Sequence, residues 1–253
     1  MDPRRHRAGR SGAGKWTRRR KVLLAVVLSV ALVGTVAGAA RAFPTVAATT
    51  CPTCYGMEEL QPDLYVERNL SADRHQQVVD FADAARRLIH DFYGSRDSSP
   101  RILACTTETC YRRIGGGRER GVAVLNRAII LSPRGLDPVI ASHEMSHVEL
   151  HHRLGWRSEG VPQWFDEGLA VVVSNDPRYL GPSPDRCKVD ADGALPETLH
   201  QWLDAARADE QVYARSACRV VRWMDANGGP AAVRKLIEQL NSGNKFDAVM
   251  TSR

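Results

Sequence analysis

The chain has no internal repeat, and beyond its first 21 residues it has almost no excess of either charge. The first absence excludes architectures stacked from a short recurring unit. The second changes the meaning of the formal net charge of +6. Residues 1–21 hold nine of the 35 Lys and Arg but only one of the 29 Asp and Glu, so the rest of the chain stands near −2. A nucleic-acid partner needs a basic patch facing its phosphates, and none remains outside the leader. Also missing is a second CxxC beside Cys51-Pro52-Thr53-Cys54, or a thioredoxin-like βαβ setting around it. That disfavours a zinc ribbon and redox chemistry and leaves a local staple.

What is there begins with a topogenic signal. After the basic leader at 1–21 comes an uncharged run of nineteen residues, Val22 to Ala40. As a helix it is about 28 Å long, close to the roughly 30 Å of a hydrocarbon core. Under the positive-inside rule the leader stays in the cytoplasm and everything after Arg41 is exported. A signal peptide cut near Ala40-Arg41-Ala42 competes with an uncleaved anchor, which the long leader and the full-length apolar run favour. Lys21 spoils the likeness of Thr17-Arg18-Arg19 to a twin-arginine signal, and Cys51 lies too far from the apolar run for a lipoprotein. Gly34 and Gly38 form a GxxxG pair that the Ala/Gly-rich composition explains equally well. Six cysteines in an exported chain point to disulfides. Their spacing suggests three sequential pairs, Cys51 with Cys54, Cys105 with Cys110 and Cys187 with Cys218, among the many pairings open to six.

The chemistry lies in His143-Glu144-Met145-Ser146-His147 and, twenty residues on, in Glu167 of Trp164-Phe165-Asp166-Glu167-Gly168-Leu169-Ala170. On a helix, positions four apart lie one turn above the other, so His143 and His147 present two imidazoles to one point with Glu144 beside them. Asp137-Pro138 supplies a cap and a first turn, and Gly155 a stop. A second apolar stretch from Val161-Pro162 to about Ser174 places Trp164, Glu167, Gly168 and Val171 on one face. From there Glu167 can lean onto the same metal, with Gly168 allowing the two helices to approach. Two imidazoles and a carboxylate leave the fourth tetrahedral position of Zn²⁺ open, as in a catalytic site. A metzincin would want Gly at 150 and His at 153, where Leu150 and Arg153 stand. His151 is poorly placed as a third ligand on a straight helix and reads, with His152, as a polar residue near a helix C-terminus.

HExxH followed by Glu in this setting resembles the gluzincin zinc metallopeptidases, the group of thermolysin and the aminopeptidases. Ile140 to His147, Trp164 to Ala170, Tyr213-Ala214-Arg215-Ser216 and Phe246 to Met250 are similar to the small bacterial peptidase MA-like domains, over roughly residues 60–253. The resemblance implies a zinc-dependent peptidase fold, metal ligands His143, His147 and Glu167, and a general base at Glu144.

The expected architecture is α+β and zincin-like: a small sheet with an edge strand beside a mostly helical body, after one N-terminal transmembrane or signal helix. The segments are a leader (1–21), a span (22–40), a linker (41–60) and a zinc metallopeptidase-like domain (61–253). Helices are expected around Val78–Phe92, 138–154, 162–174, 196–207, 212–227 and 230–241, and strands at 102–105, 121–125 and 128–131. Strand 121–125 precedes the metal helix as a gluzincin edge strand does and would pair with an extended peptide. The expected function is a membrane-anchored, exported zinc peptidase acting on a peptide or protein. Two alternatives stand beside it: a catalytically silent metal-binding scaffold, which Glu144 speaks against, and a zinc hydrolase of a non-peptide envelope amide, which would use the same residues. An oxyanion donor from outside the metal helices is expected at Tyr213, which opens a helix in the family-like Tyr-Ala-x-Ser segment. Tyr179, in the Gly/Pro-rich stretch Asp176 to Pro184 that reads as surface loop, and His200 are its rivals.

Overall fold

Ala128-Ile129-Ile130-Leu131 has no polar residue at alternate positions, so a strand there needs cover on both faces. The computed structural model describes residues 38, 41–183 and 185–251 and shows where that cover comes from. In chain order the elements are α1 (Pro44–Thr50), β1 (Met57–Gln61), β2 (Leu64–Glu67), α2 (Ala72–Tyr93), β3 (Arg101–Ala104), α3 (Glu108–Arg113), β4 (Gly121–Val124) and β5 (Ala128–Leu131). The helical body follows: α4 (Pro138–Leu154), α5 (Gln163–Ser174), α6 (Leu199–Ala208), α7 (Gln211–Asn227), α8 (Pro230–Asn241) and α9 (Phe246–Thr251). The expected leader, and the expected span apart from Gly38, lie outside the described residues. Among those described, no helix is long and apolar enough to cross a membrane.

The sheet is mixed, in the order β1-β2-β3-β5-β4. β2, β3 and β5 run parallel, while β1 and β4 are antiparallel to their neighbours at the two edges. Side chains alternate across it, as the two-residue period of a strand requires. Ile102, Ala104, Ile129 and Leu131 face the helical body and join Val78, Ala82, Ile89, Ile140 and Met145 in the main core. Leu103, Ala128, Ile130 and Val124 face the other way, onto Ala48, Met57, Tyr111 and Ile114. The fold is thus α+β, a small mixed sheet beside a mostly helical body.

Residues 44–60, read from the sequence as linker, carry α1, a 3-10 turn at Pro52–Tyr55 and most of β1. Two apolar sheet faces demand a second cover, and this segment supplies part of it. The sequence reading missed α1, β1, β2 and α3, each too short or too polar to show a period. The long helices stand where expected. Ser71 caps α2 by accepting from Arg74 N, and Gly94 ends it at φ +76°. All three expected disulfides are formed: Cys51–Cys54, Cys105–Cys110 and Cys187–Cys218.

Two packing details position the metal helix α4. Its Glu149 is fully buried, and the carboxylate accepts from Asp97 N (2.8 Å), Ser98 N (2.9 Å), Ser98 Oγ (2.5 Å) and Arg153 Nε (2.7 Å). Four donors satisfy a charge that would otherwise be expensive to bury, and they tie the 95–98 loop to α4. On the far side α5 packs against both α4 and α7. Gly168 was expected to ease the approach of the two metal helices, but it faces α7. A Cβ at 168 would lie 2.6 Å from Ser216 O and 2.7 Å from Ser216 C. Gly168→Ala would therefore force α5 from α7 and is expected to destabilise the protein by about 1–3 kcal/mol. Denaturant unfolding checks this; a midpoint equal to that of the parent protein would refute the close approach.

Candidate metal centre

α4 forms where it does because Asp137 caps it, accepting from Ile140 N at 2.9 Å, and Pro138 occupies its first turn. One helical turn then separates His143 from His147, whose ring centroids are 5.0 Å apart. From α5, Glu167 Oε2 comes within 3.4 Å of His143 Nε2 and 3.8 Å of His147 Nε2. The other oxygen, Oε1, accepts from the Gln163 side-chain amide at 3.3 Å. His143, His147 and Glu167 each offer one ligand atom, all within 4.8 Å of one another, so together they could hold a metal ion.

The sequence reading missed the residue that orients this group. Asp166, 6 % exposed, accepts from His147 Nδ1 at 2.7 Å through Oδ1 and from His151 Nε2 at 2.7 Å through Oδ2. With Nδ1 committed to Asp166, Nε2 of His147 is the nitrogen that can coordinate a metal once its proton is displaced. His151 is accordingly no ligand; it steadies Asp166, a role the sequence reading did not give it. The signal was present in the spacing. Three histidines at 143, 147 and 151 climb α4 one turn at a time, and the neighbouring carboxylates of Asp166 and Glu167 each meet two of them. His143 differs: its Nδ1 is buried without a hydrogen-bond partner, and its ring is held by packing.

The electrostatics follow from this arrangement. Burial opposes a charge on His147, but the charges of Asp166 and Glu167 and the bond to Asp166 outweigh it and raise its pKa to about 10. Burial likewise opposes charge on Asp166; the charge of His147 and the bonds from both histidines nevertheless hold it well below the usual carboxylate range. Glu144 shifts the other way. Burial pushes its carboxyl up and Glu167 adds to that, against the pull of His143, His147 and a backbone hydrogen bond with Ala123.

Glu144 also packs against the edge strand β4. A Cβ on Gly121 would lie 2.9 Å from Glu144 Cγ and 3.1 Å from Ile140 Cγ2, so glycine is what lets β4 lie across α4 at this level. Tyr213 stands beside His143, with ring centroids 6.4 Å apart. It stacks on Tyr179 at 4.9 Å and meets Trp202 edge-on at 4.8 Å. Burial, with Glu167 nearby, raises the pKa of the Tyr213 phenol above its ordinary value.

Tyr179 thus lies in a surface turn, as expected, but its ring reaches inward to Tyr213. Buried Asp176 pairs with Arg178, Leu180 bridges to Cys187, and the Cys187–Cys218 disulfide fixes the segment to α7. The turn is largely exposed, as its Gly and Pro suggest, but buried Asp176 and the disulfide hold it so that Tyr179 is partly covered. His200 is exposed on α6, 3.6 Å from Asp204, and takes no part in the centre.

A metal ion taking Nε2 of His147 displaces a proton otherwise held to about pH 10. Metal affinity is thus expected to rise with pH by up to about tenfold per unit. Stability of chelator-stripped protein should move oppositely. The folded pKa of His147 lies above its ordinary 6.5, so its contribution is complete below pH 6.5 and lost as pH climbs through about 10. Asp166→Ala should weaken metal binding about 10–100-fold with all three ligands in place. Competition titration with a chromophoric chelator reads both, and a pH-independent affinity would refute the account. Comparison of the chain with family models, with curated proteins and with solved structures returns no match.

Proposed function

We propose that this chain is a zinc-dependent peptidase of gluzincin type, held to a membrane by residues 22–40 and working outside the cytoplasm. The observation that carries the reading is the seat of Glu144: a carboxyl beside the three-residue metal group, packed against Gly121 of the edge strand. A site that only stored a metal would have no use for it. Three disulfides fit an oxidising, exported compartment.

The donor set suits zinc. Ligands about 2.0–2.2 Å from a tetrahedral centre stand roughly 3.3–3.6 Å apart. The 3.4 Å and 3.8 Å separations between Glu167 Oε2 and the two imidazoles are close to that. Zinc bound there would supply Lewis acidity toward water and a carbonyl oxygen. The protein's own groups supply the rest. Glu144, with its raised pKa, accepts the proton of the attacking water and returns it to the departing amine. Asp166 holds His147 in the ligating tautomer, and the free backbone edge of β4 receives an extended chain. Tyr213 donates its hydroxyl proton in a hydrogen bond toward the oxygen on which charge develops.

Glu144→Gln is expected to keep one zinc per chain and lose hydrolysis, whereas His143→Ala or Glu167→Ala should lose the metal as well. Elemental analysis beside a peptide-cleavage assay separates the two classes, and full zinc occupancy in Glu167→Ala would sink the assignment. Tyr213→Phe should leave zinc content and melting temperature nearly unchanged and slow turnover by about tenfold to a thousandfold. Unaltered turnover would remove Tyr213 from the mechanism and direct attention to Tyr179, stacked on it.

A further inference from the structure

β4 and α4 run side by side, and their two ends differ. At one end Gly121 lies against Ile140 and Glu144. At the other, the β4–β5 turn and the last turn of α4 border a cavity of about 450 Å³, lined by Ser98, Ser99, Leu125, Arg127, His151 and His152 among others. No carboxylate lines it. Among the described residues Arg127 and His152 are both exposed, and neither side chain has a hydrogen bond or ion pair. Ser98 Oγ and His151 Nε2 are spent on Glu149 and Asp166, which leaves Arg127, His152 and the Ser99 hydroxyl as the donors facing the cavity, a set that suits a carboxylate.

A second observation comes from the turn itself. Val124 pairs with Ala128 across a three-residue connection in which Arg127 N donates to Val124 O, with Leu125 at φ +49° and Asn126 at φ +53°. Positive φ at both positions is the type I′ geometry, which strongly favours Gly and Asn. A leucine is strained there, and Leu125 is 68 % exposed, so packing gives nothing back. Neither the turn nor the core explains Leu125, whereas a ligand in the cavity beside it would.

We propose that this cavity is a specificity subsite that takes an acidic side chain of the bound peptide, with Arg127 as its counter-charge and Leu125 as an apolar lip. The proposal rests on the peptidase reading, in which a chain extends along β4. Leu125 is two residues beyond Ala123 and four beyond Gly121, or about 7–13 Å along the strand. The acidic residue should therefore sit two to four residues from the bond cleaved, and on one side of it only.

Two measurements on the zinc-loaded, full-length protein test this. In the first, blocked octapeptide pools carrying Glu or Gln at a fixed position are bound to the Glu144→Gln variant, so no turnover is needed. The Glu pool should bind about tenfold more tightly at low salt. Arg127→Glu should abolish or invert the preference. Leu125→Gly should weaken both pools while raising the melting temperature or leaving it unchanged, because glycine relieves the turn. Equal binding of the two pools, or a Glu preference that survives Arg127→Glu, overturns the subsite whether or not any peptide is cut. In the second, cleavage of a peptide library by the parent protein should show Asp or Glu enriched at those positions on one side, acting through KM and not kcat. Cleavage without that enrichment overturns the subsite and spares the peptidase. Binding preference without cleavage by the parent protein sinks the peptidase reading and spares the anionic site.

Discussion

One buried carboxylate that would never touch the metal sets the geometry of this centre. Asp166 accepts from His147 and His151, one turn apart on α4, and so clamps two turns of that helix to the start of α5. Burying a carboxylate is costly unless charge-assisted hydrogen bonds meet it, and here two imidazoles do. Glu167 follows Asp166 directly, so once Asp166 is docked the next side chain can only fall beside His143 and His147. The tautomer of His147, the reach of Glu167 and the distance between the helices are one constraint seen three ways.

Around that clamp the space is set by residues that lack side chains. Gly121 lets the edge strand pass over Glu144, and Gly168 lets α5 sink onto the backbone of α7 at Ser216. α7 in turn carries Tyr213 and, through Cys218, anchors the segment bearing Tyr179. The aromatic wall beside His143 is thus located by an approach between two helix backbones and a covalent link, neither of which involves the ligands. The clamp sets the ligands and the glycines set the walls.

These distinctions explain what the sequence could and could not reveal. HExxH, its caps at Asp137 and Gly155, and Glu167 were legible because a helix of 3.6 residues per turn converts spacing into direction. Asp166 and Gly121 sat in plain view beside recognised motifs, but their roles depend on which neighbouring element comes close, and one-dimensional spacing is silent on that. The stretch after Asp176 is the largely exposed turn that its Gly and Pro suggest, but composition could not show that Tyr179 turns inward from it to stack on Tyr213. The second face of the sheet was missed for a related reason. Ala128 to Leu131 announced that it needed cover, yet Pro44–Thr50 is a short run of Ala, Thr and Val with no amphipathic period to mark it as the cover.

That cover has a consequence for release of the protein from any tether. A cut near residue 60 would separate α1 and most of β1 from the rest of the chain and uncover part of the face formed by Leu103, Ile130 and Tyr111. Shedding that leaves an intact, soluble body has to cut upstream of Pro44. A fragment that starts at residue 61 would instead be an aggregation-prone remnant, with a new sheet edge at β2 and a partly uncovered apolar face.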